Sequence, residues 1–228
     1  WGRSRKITIV AKDPLKLADD KRAQWPQAST GLLTSSLSAV ATPTTLDITT
    51  GTATEYDLED YETTAVVLIG SEIIPYTGTT VITGGVRLTG VGTRGIVGDY
   101  ETPKSAHAAG DAVQKCAYFQ AMKVPKVIQV LLERGGNVPA TYIDYTTWET
   151  EYDTWLAGFT VTRLICKPEG VTSIIKELIP QSNTWAVWFD NEAEEIRYQV
   201  VRPLDYNELI DTFSDDDNII GGSLAAQD

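Results

Sequence analysis

The chain has 228 residues, 42% of them hydrophobic and 22% charged, ordinary values for a folded protein and enough for one large or two small cores. Its formal net charge of −12 repels phosphate and anionic lipid, so no nucleic-acid partner is expected. No apolar stretch approaches the roughly 20 residues of a membrane helix, so direct membrane insertion is not expected either.

In chain order, residues 5–10 alternate β-branched and polar side chains and read as a strand. Asp13-Pro14 then stops a strand and caps a short helical turn. Residues 24–31 read as a linker. From 32 to 115 threonine, glycine and valine dominate and helical periodicity vanishes. Strands are predicted at 46–49, 64–69, 73–77, 86–89 and 112–115, with hairpin turns at Gly70-Ser71 and Thr83-Gly84-Gly85. Five short strands suggest a small twisted β-module, barrel-like in form.

From 116 the helix signal returns. Val124, Val127, Ile128, Leu131 and Leu132 form an apolar stripe, opened by Pro125 and ended by Gly135-Gly136. A second helix is predicted over 147–156, with Trp148, Tyr152 and Trp155 on one stripe. A strand at 160–166 and a third helix at 171–179, stopped by Pro180, follow. The runs 185–190 and 195–201 read as an antiparallel pair that buries Ile196, Tyr198 and Val200. Asp205–Phe213 fits no single element, and Asp215-Asp216-Asp217 reads as a solvated turn. The chain starts Trp1-Gly2-Arg3 and stops at Gln227-Asp228 without a terminating element, so both ends read as cuts through a longer polypeptide. The expected fold class is α+β. A discontinuous mixed α/β host domain, residues 1–28 and 116–228, carries an inserted all-β, barrel-like module at 29–115.

The chemistry-bearing residues are few. A single histidine, His107, has no GxSxG elbow and reads as a turn residue packed on the β-module. Cys116 and Cys166 lie outside any CxxC motif; they read as two buried thiols, with one bridge the alternative. Gly90-Val91-Gly92-Thr93-Arg94-Gly95 fits GxGxxG, but no helix N-terminus follows to hold a pyrophosphate. Glu149, Glu151 and Asp153 flank aromatic residues as in a glycosidase, yet their helical spacing is that of an amphipathic packed helix. Residues 47–72 hold seven acidic side chains and no Lys or Arg, read either as a solvated loop or as a cation or partner surface. Asp215–Asp217 fails the calcium-loop spacing. No catalytic, cofactor-binding or metal-ligating residues are therefore assigned. The glycan-contact candidates are Tyr56, Tyr61, Tyr76 and Tyr100.

Several stretches resemble one family. They are Ile7 to Gln24 with its Lys12-Asp13-Pro14-Leu15-Lys16-Leu17 centre, Ile69-Gly70-Ser71-Glu72-Ile73-Ile74, and Thr93-Arg94-Gly95 with Ser105-Ala106-His107-Ala108-Ala109-Gly110-Asp111-Ala112-Val113. The run Asp215-Asp216-Asp217-Asn218-Ile219-Ile220 ahead of Ser223-Leu224 belongs with them. Together they resemble the baseplate-hub or tip-attachment proteins of long-tailed bacteriophages and prophages. The resemblance implies a structural role in the virion tail tip, joining the tail tube to host-recognition fibres, with no catalysis and no cofactor. It implies self-association, as a homotrimer of the full-length protein, and contacts with other tail proteins. The alternatives are a carbohydrate-binding module for host glycans and a glycan-degrading tail enzyme.

Overall fold

The computed structural model describes residues 13–50, 61–182 and 185–201. The strand expected at 5–10, Tyr56, Asp205–Phe213 and Asp215–Asp217 lie outside them. The protein is a mixture of helix and strand, as the α+β expectation requires. Its strands form several small sheets, two of them four-stranded.

Helix α1 (Leu15–Ala18) is a single turn. The Asp13 carboxylate accepts the Lys16 N–H at 3.2 Å, which is the expected capping role. Residues 24–31 are not a free linker. Gln24–Trp25 is a strand, β1, that pairs with β12 (Glu169–Gly170), and Gly31–Leu33 is β2. These short runs lack alternation, so only their distant partners mark them as strands.

The β-rich region holds β3 (Thr45–Thr50), β4 (Ala65–Ile69), β5 (Glu72–Tyr76), β6 (Gly78–Ile82) and β7 (Gly85–Thr89). β4 and β5 join through Gly70-Ser71, with Gly70 at φ +59°, a conformation glycine adopts without steric cost. Thr83-Gly84 turns β6 into β7 as expected. One sheet runs β2-β3-β7-β6 and the other β11-β10-β4-β5, where β10 is Val113–Lys123 and β11 Thr160–Ile165. They share a core of Leu33, Leu46, Ile48, Val67, Ile69, Ile74, Tyr76, Val86, Leu88 and Val113.

The barrel expectation is not met. Only Thr77 separates β5 from β6, so the chain passes directly from one sheet to the other, and isolated bridges, Leu32–Ala112 and Leu37–His107, link β2 and the residues after it to the segment that leads into β10. Hydrogen bonding does not continue around the module as a closed ladder. Two further short strands, β8 (Ile96–Val97) and β9 (Tyr100–Glu101), form a separate hairpin after β7.

β10 is longer than its sequence suggests. It continues through 115 to Lys123, pairing first with β4 and then with β11. Cys116, Ala117 and Phe119 are all buried, because the strand is covered on both faces there and loses the alternation that marks a half-exposed strand. A register shift between Phe119 and Met122 places Ala121 at φ +46°. β14 and β13 follow the predicted pair closely, at Glu195–Val200 and Trp185–Asp190, with Ile196, Tyr198 and Val200 buried.

Helix α2 (Val124–Val130) starts with Pro125 in its first turn and runs on as a π-turn over Leu131–Gly135, closed by the Gly136 N–H on the Leu131 carbonyl at 3.0 Å. Gly135 is required here, since a Cβ would lie 2.5 Å from Val171 Cγ2. Helix α3 (Tyr145–Trp155) is capped by Asp144 and buries Trp148 and Tyr152. Trp155, expected on the same stripe, is the last residue of the helix and is 48% exposed. Helix α4 (Val171–Ser182) runs through Pro180, which forgoes one i→i−4 hydrogen bond, and ends two residues beyond it rather than at it. Around these helices Val127, Ile128, Leu131, Leu132, Trp148, Tyr152, Val171, Ile174, Ile196 and Tyr198 form a second core.

Candidate functional site

The most unusual chemistry lies inside the β-rich region. Glu72 opens β5 on the same face as Ile74 and Tyr76, so its carboxylate points into the core between the sheets. It is 0% exposed, and Arg94 and His107 beside it are 2% and 6% exposed. A buried charge of this kind survives only when paired and fully hydrogen-bonded.

Arg94 lies in the glycine-rich loop after β7. Its Nε and Nη2 donate to the two Glu72 oxygens at 2.7 and 2.6 Å, a bidentate pair. Nη1 donates to the carbonyls of Ser38 (2.7 Å) and Ala41 (3.1 Å), and Nη2 also to that of Ser105 (2.6 Å). All five guanidinium N–H groups therefore have acceptors. Glu72 Oε2 accepts in addition from the Ser105 N–H at 3.0 Å and from His107 Nε2 at 2.8 Å. Burial alone would raise the Glu72 carboxyl, but the hydrogen bonds from Arg94, Ser105 and His107 outweigh it and hold the group below its ordinary value. His107 is fixed through its backbone as well, exchanging two 2.8 Å hydrogen bonds with Leu37.

Ser105, His107 and Glu72 form a Ser-His-acid set by composition, but not by geometry. In a triad the acid and the serine bond opposite ring nitrogens. Here Ser105 Oγ (3.3 Å) and Glu72 Oε2 (2.8 Å) both meet Nε2. Nδ1 is instead 3.8 Å from Asp111 Oδ2. Since the carboxylate can only accept, Nε2 carries the proton and cannot take one from Ser105. What the arrangement can do is tie four chain segments (around 38–41, 72, 94 and 105–107) into one knot. Sequence reasoning assigned no role to Glu72 or Arg94, and the only signal was an arginine within a glycine-rich, otherwise uncharged loop.

The described glycan-contact candidates are buried or half-buried. Tyr61 and Tyr76 are buried in the β-core, and Tyr100 is half-buried, edge-on to Tyr118 with its hydroxyl accepting the Leu164 N–H. Glu149 and Asp153 are both bridged by Lys123 Nζ (2.9 and 2.8 Å), whereas Glu151 accepts the Val200 N–H. Gly90–Gly95 leads into β8, with no helix, as expected. The described acids of the 47–72 run each meet an arginine from outside it: Asp47 meets Arg87, Glu62 meets Arg134 and Glu72 meets Arg94. Cys116 and Cys166 are free thiols, the former buried and the latter half-buried. An open cleft of about 770 Å³ runs between Trp25–Gln27 and residues 61–66, with Lys115 over the Tyr61 ring and Arg134 over that of Trp25. Comparison of the chain with family models, with curated proteins and with solved structures returns no match.

Proposed function

We propose that this chain is a structural module of a bacteriophage tail tip, of the baseplate-hub kind, and that it performs no catalysis. One observation supports the reading above the others. The segments that resemble hub proteins, Ile69 to Ile74, Thr93 to Gly95 and Ser105 to Val113, are far apart in sequence but supply Glu72, Arg94 and Ser105 with His107 to one buried knot. Residues that recur together for structural reasons are expected to meet in this way. A knot buried from solvent, with its arginine and carboxylate fully paired, serves a scaffold better than a reaction site.

The finer architecture belongs to the same proposal: residues 29–115 are inserted into a host domain of 1–28 and 116–228, and the full-length protein assembles as a trimer with other tail proteins. In its support, the Gln114 side chain donates to the Gln27 carbonyl at 2.9 Å and accepts from the Ser29 N–H at 3.1 Å. The chain thus enters and leaves the β-rich region at one place. The burial of Tyr61 and Tyr76 weighs against the sugar-binding alternative.

The test is immuno-electron microscopy of tailed particles with an antibody to this chain. Label confined to the tail tip is the expected result. Label on the capsid, or none on any particle, would overturn the proposal.

A further inference from the structure

The free thiols Cys116 and Cys166 stand in a defined relation. β10 and β11 are antiparallel, with Ala117 opposite Ile165 and Tyr118 opposite Leu164. One step further, the register sets Cys116 opposite Cys166, and directly opposed residues point to the same face. The kind of pair follows from a neighbour. The Leu164 N–H donates to the Tyr100 hydroxyl at 3.2 Å and so turns away from β10. Tyr118 and Leu164 are therefore a non-hydrogen-bonded pair, and by alternation so are Cys116 and Cys166. Such pairs hold their Cα atoms about 4.5 Å apart, inside the range of about 4.4–6.8 Å that a disulfide spans. Consistent with this, the two side chains pack into one small apolar cluster with Val66, Ile73 and Leu164, and Cys116 also borders the cleft beside Tyr61.

We propose that Cys116 and Cys166 are a site of reversible oxidation, a dithiol that closes to a cross-strand disulfide by exchange with a low-molecular-weight disulfide. Cys166 is the attacking thiol, because it is half-exposed while Cys116 is buried. The interaction of the two side chains lowers the Cys166 thiol and, together with burial, raises that of Cys116. The Cys166 thiolate attacks one sulfur of the small disulfide, expels one thiolate and forms a mixed disulfide. Cys116 loses its proton to solvent and attacks the Cys166 sulfur, expelling the second thiolate. Two electrons pass from protein to reagent, and one small disulfide becomes two small thiols. The bridge would close a loop of about 50 residues containing α2, the π-turn and α3, tying β10 to β11. The inference stands independently of the role in a tail.

The experiment exposes the wild-type chain to oxidised glutathione and maps its cysteines by peptide mass spectrometry. The expected product is a Cys116–Cys166 disulfide, free of glutathione, that dithiothreitol reverses. It should melt roughly 5 °C or more above the reduced form. Cys116→Ser should stop at one glutathione on Cys166, and Cys166→Ser should take up none. Wild-type protein that keeps both thiols free, or retains glutathione on either cysteine, would overturn the proposal without recourse to the variants.

Discussion

The β-rich region and the helical region solve the same problem with different chemistry. In the first, strands of modest size enclose a core that is crossed by a charged knot, Glu72–Arg94–His107, with every Arg94 N–H and both Glu72 oxygens engaged. In the second, the interior is aliphatic and aromatic, built on Leu131, Leu132, Trp148, Tyr152 and Tyr198, and the ion pairs stay outside, as Lys123 does with Glu149 and Asp153. A knot concentrates the hold on several loops in three side chains. An apolar core spreads it over many, each replaceable at a cost set by the volume it leaves.

The largest expected effect tests the knot. Arg94→Met strands a buried carboxylate, and a loss of about 3–5 kcal/mol is expected in urea unfolding. A loss under about 1 kcal/mol would mean that the two regions do not differ in this respect. Next comes Leu131→Ala in the apolar core, with about 3 kcal/mol lost through transfer and cavity terms. Unlike Arg94→Met, it should leave the slope of stability against pH unchanged, and a changed slope would count against the division.

Acid sharpens the contrast. The folded-state value of Glu72 lies below its unfolded value, so its contribution is present at neutral pH and is lost as pH falls through the folded value. Wild-type protein should therefore lose stability below about pH 4, and Glu72→Gln, weaker at pH 7, should lose less over that window. Parallel curves for the two proteins would remove the carboxylate from the account. The smallest effect is a gain. The Tyr198 hydroxyl is buried without a hydrogen-bond partner among the described residues. Tyr198→Phe should raise stability by about 1 kcal/mol, measured by thermal unfolding, because the apolar region has no use for that polar atom.

The contrast also explains what the sequence made legible. Alternation in Glu195–Val200 and the apolar stripe from Val124 to Leu132 are local patterns, and both elements form where the patterns place them. The turn at Gly70-Ser71 was readable for the same reason. β10 was cut short at 115 because burial on both faces erases alternation. β6, rich in Thr and Gly, was missed because it carries no strong pattern of its own. The knot was illegible as chemistry, since an isolated Glu or Arg reads as a surface residue and His107 reads as a turn residue packed on the β-module. Their burial depends on partners 22 and 35 residues away, which no local pattern encodes. The strand after Gly90–Gly95 and the packing of α3 through Trp148 and Tyr152 are both features that local spacing carries.

The Gln114 side chain, which bonds both Gln27 and Ser29, has a further consequence for how this chain can change in length. Because the polypeptide returns to the place it left, the stretch between behaves toward the rest of the molecule as a closed loop. The entropy of closing such a loop grows only with the logarithm of its length, about 0.6 kcal/mol for each doubling. Residues can then be gained or lost in the outlying turns of the β-rich region with little strain on the helices. Variation in that region is thermodynamically inexpensive, whereas an inserted residue within β10 would shift every side chain beyond it to the opposite face.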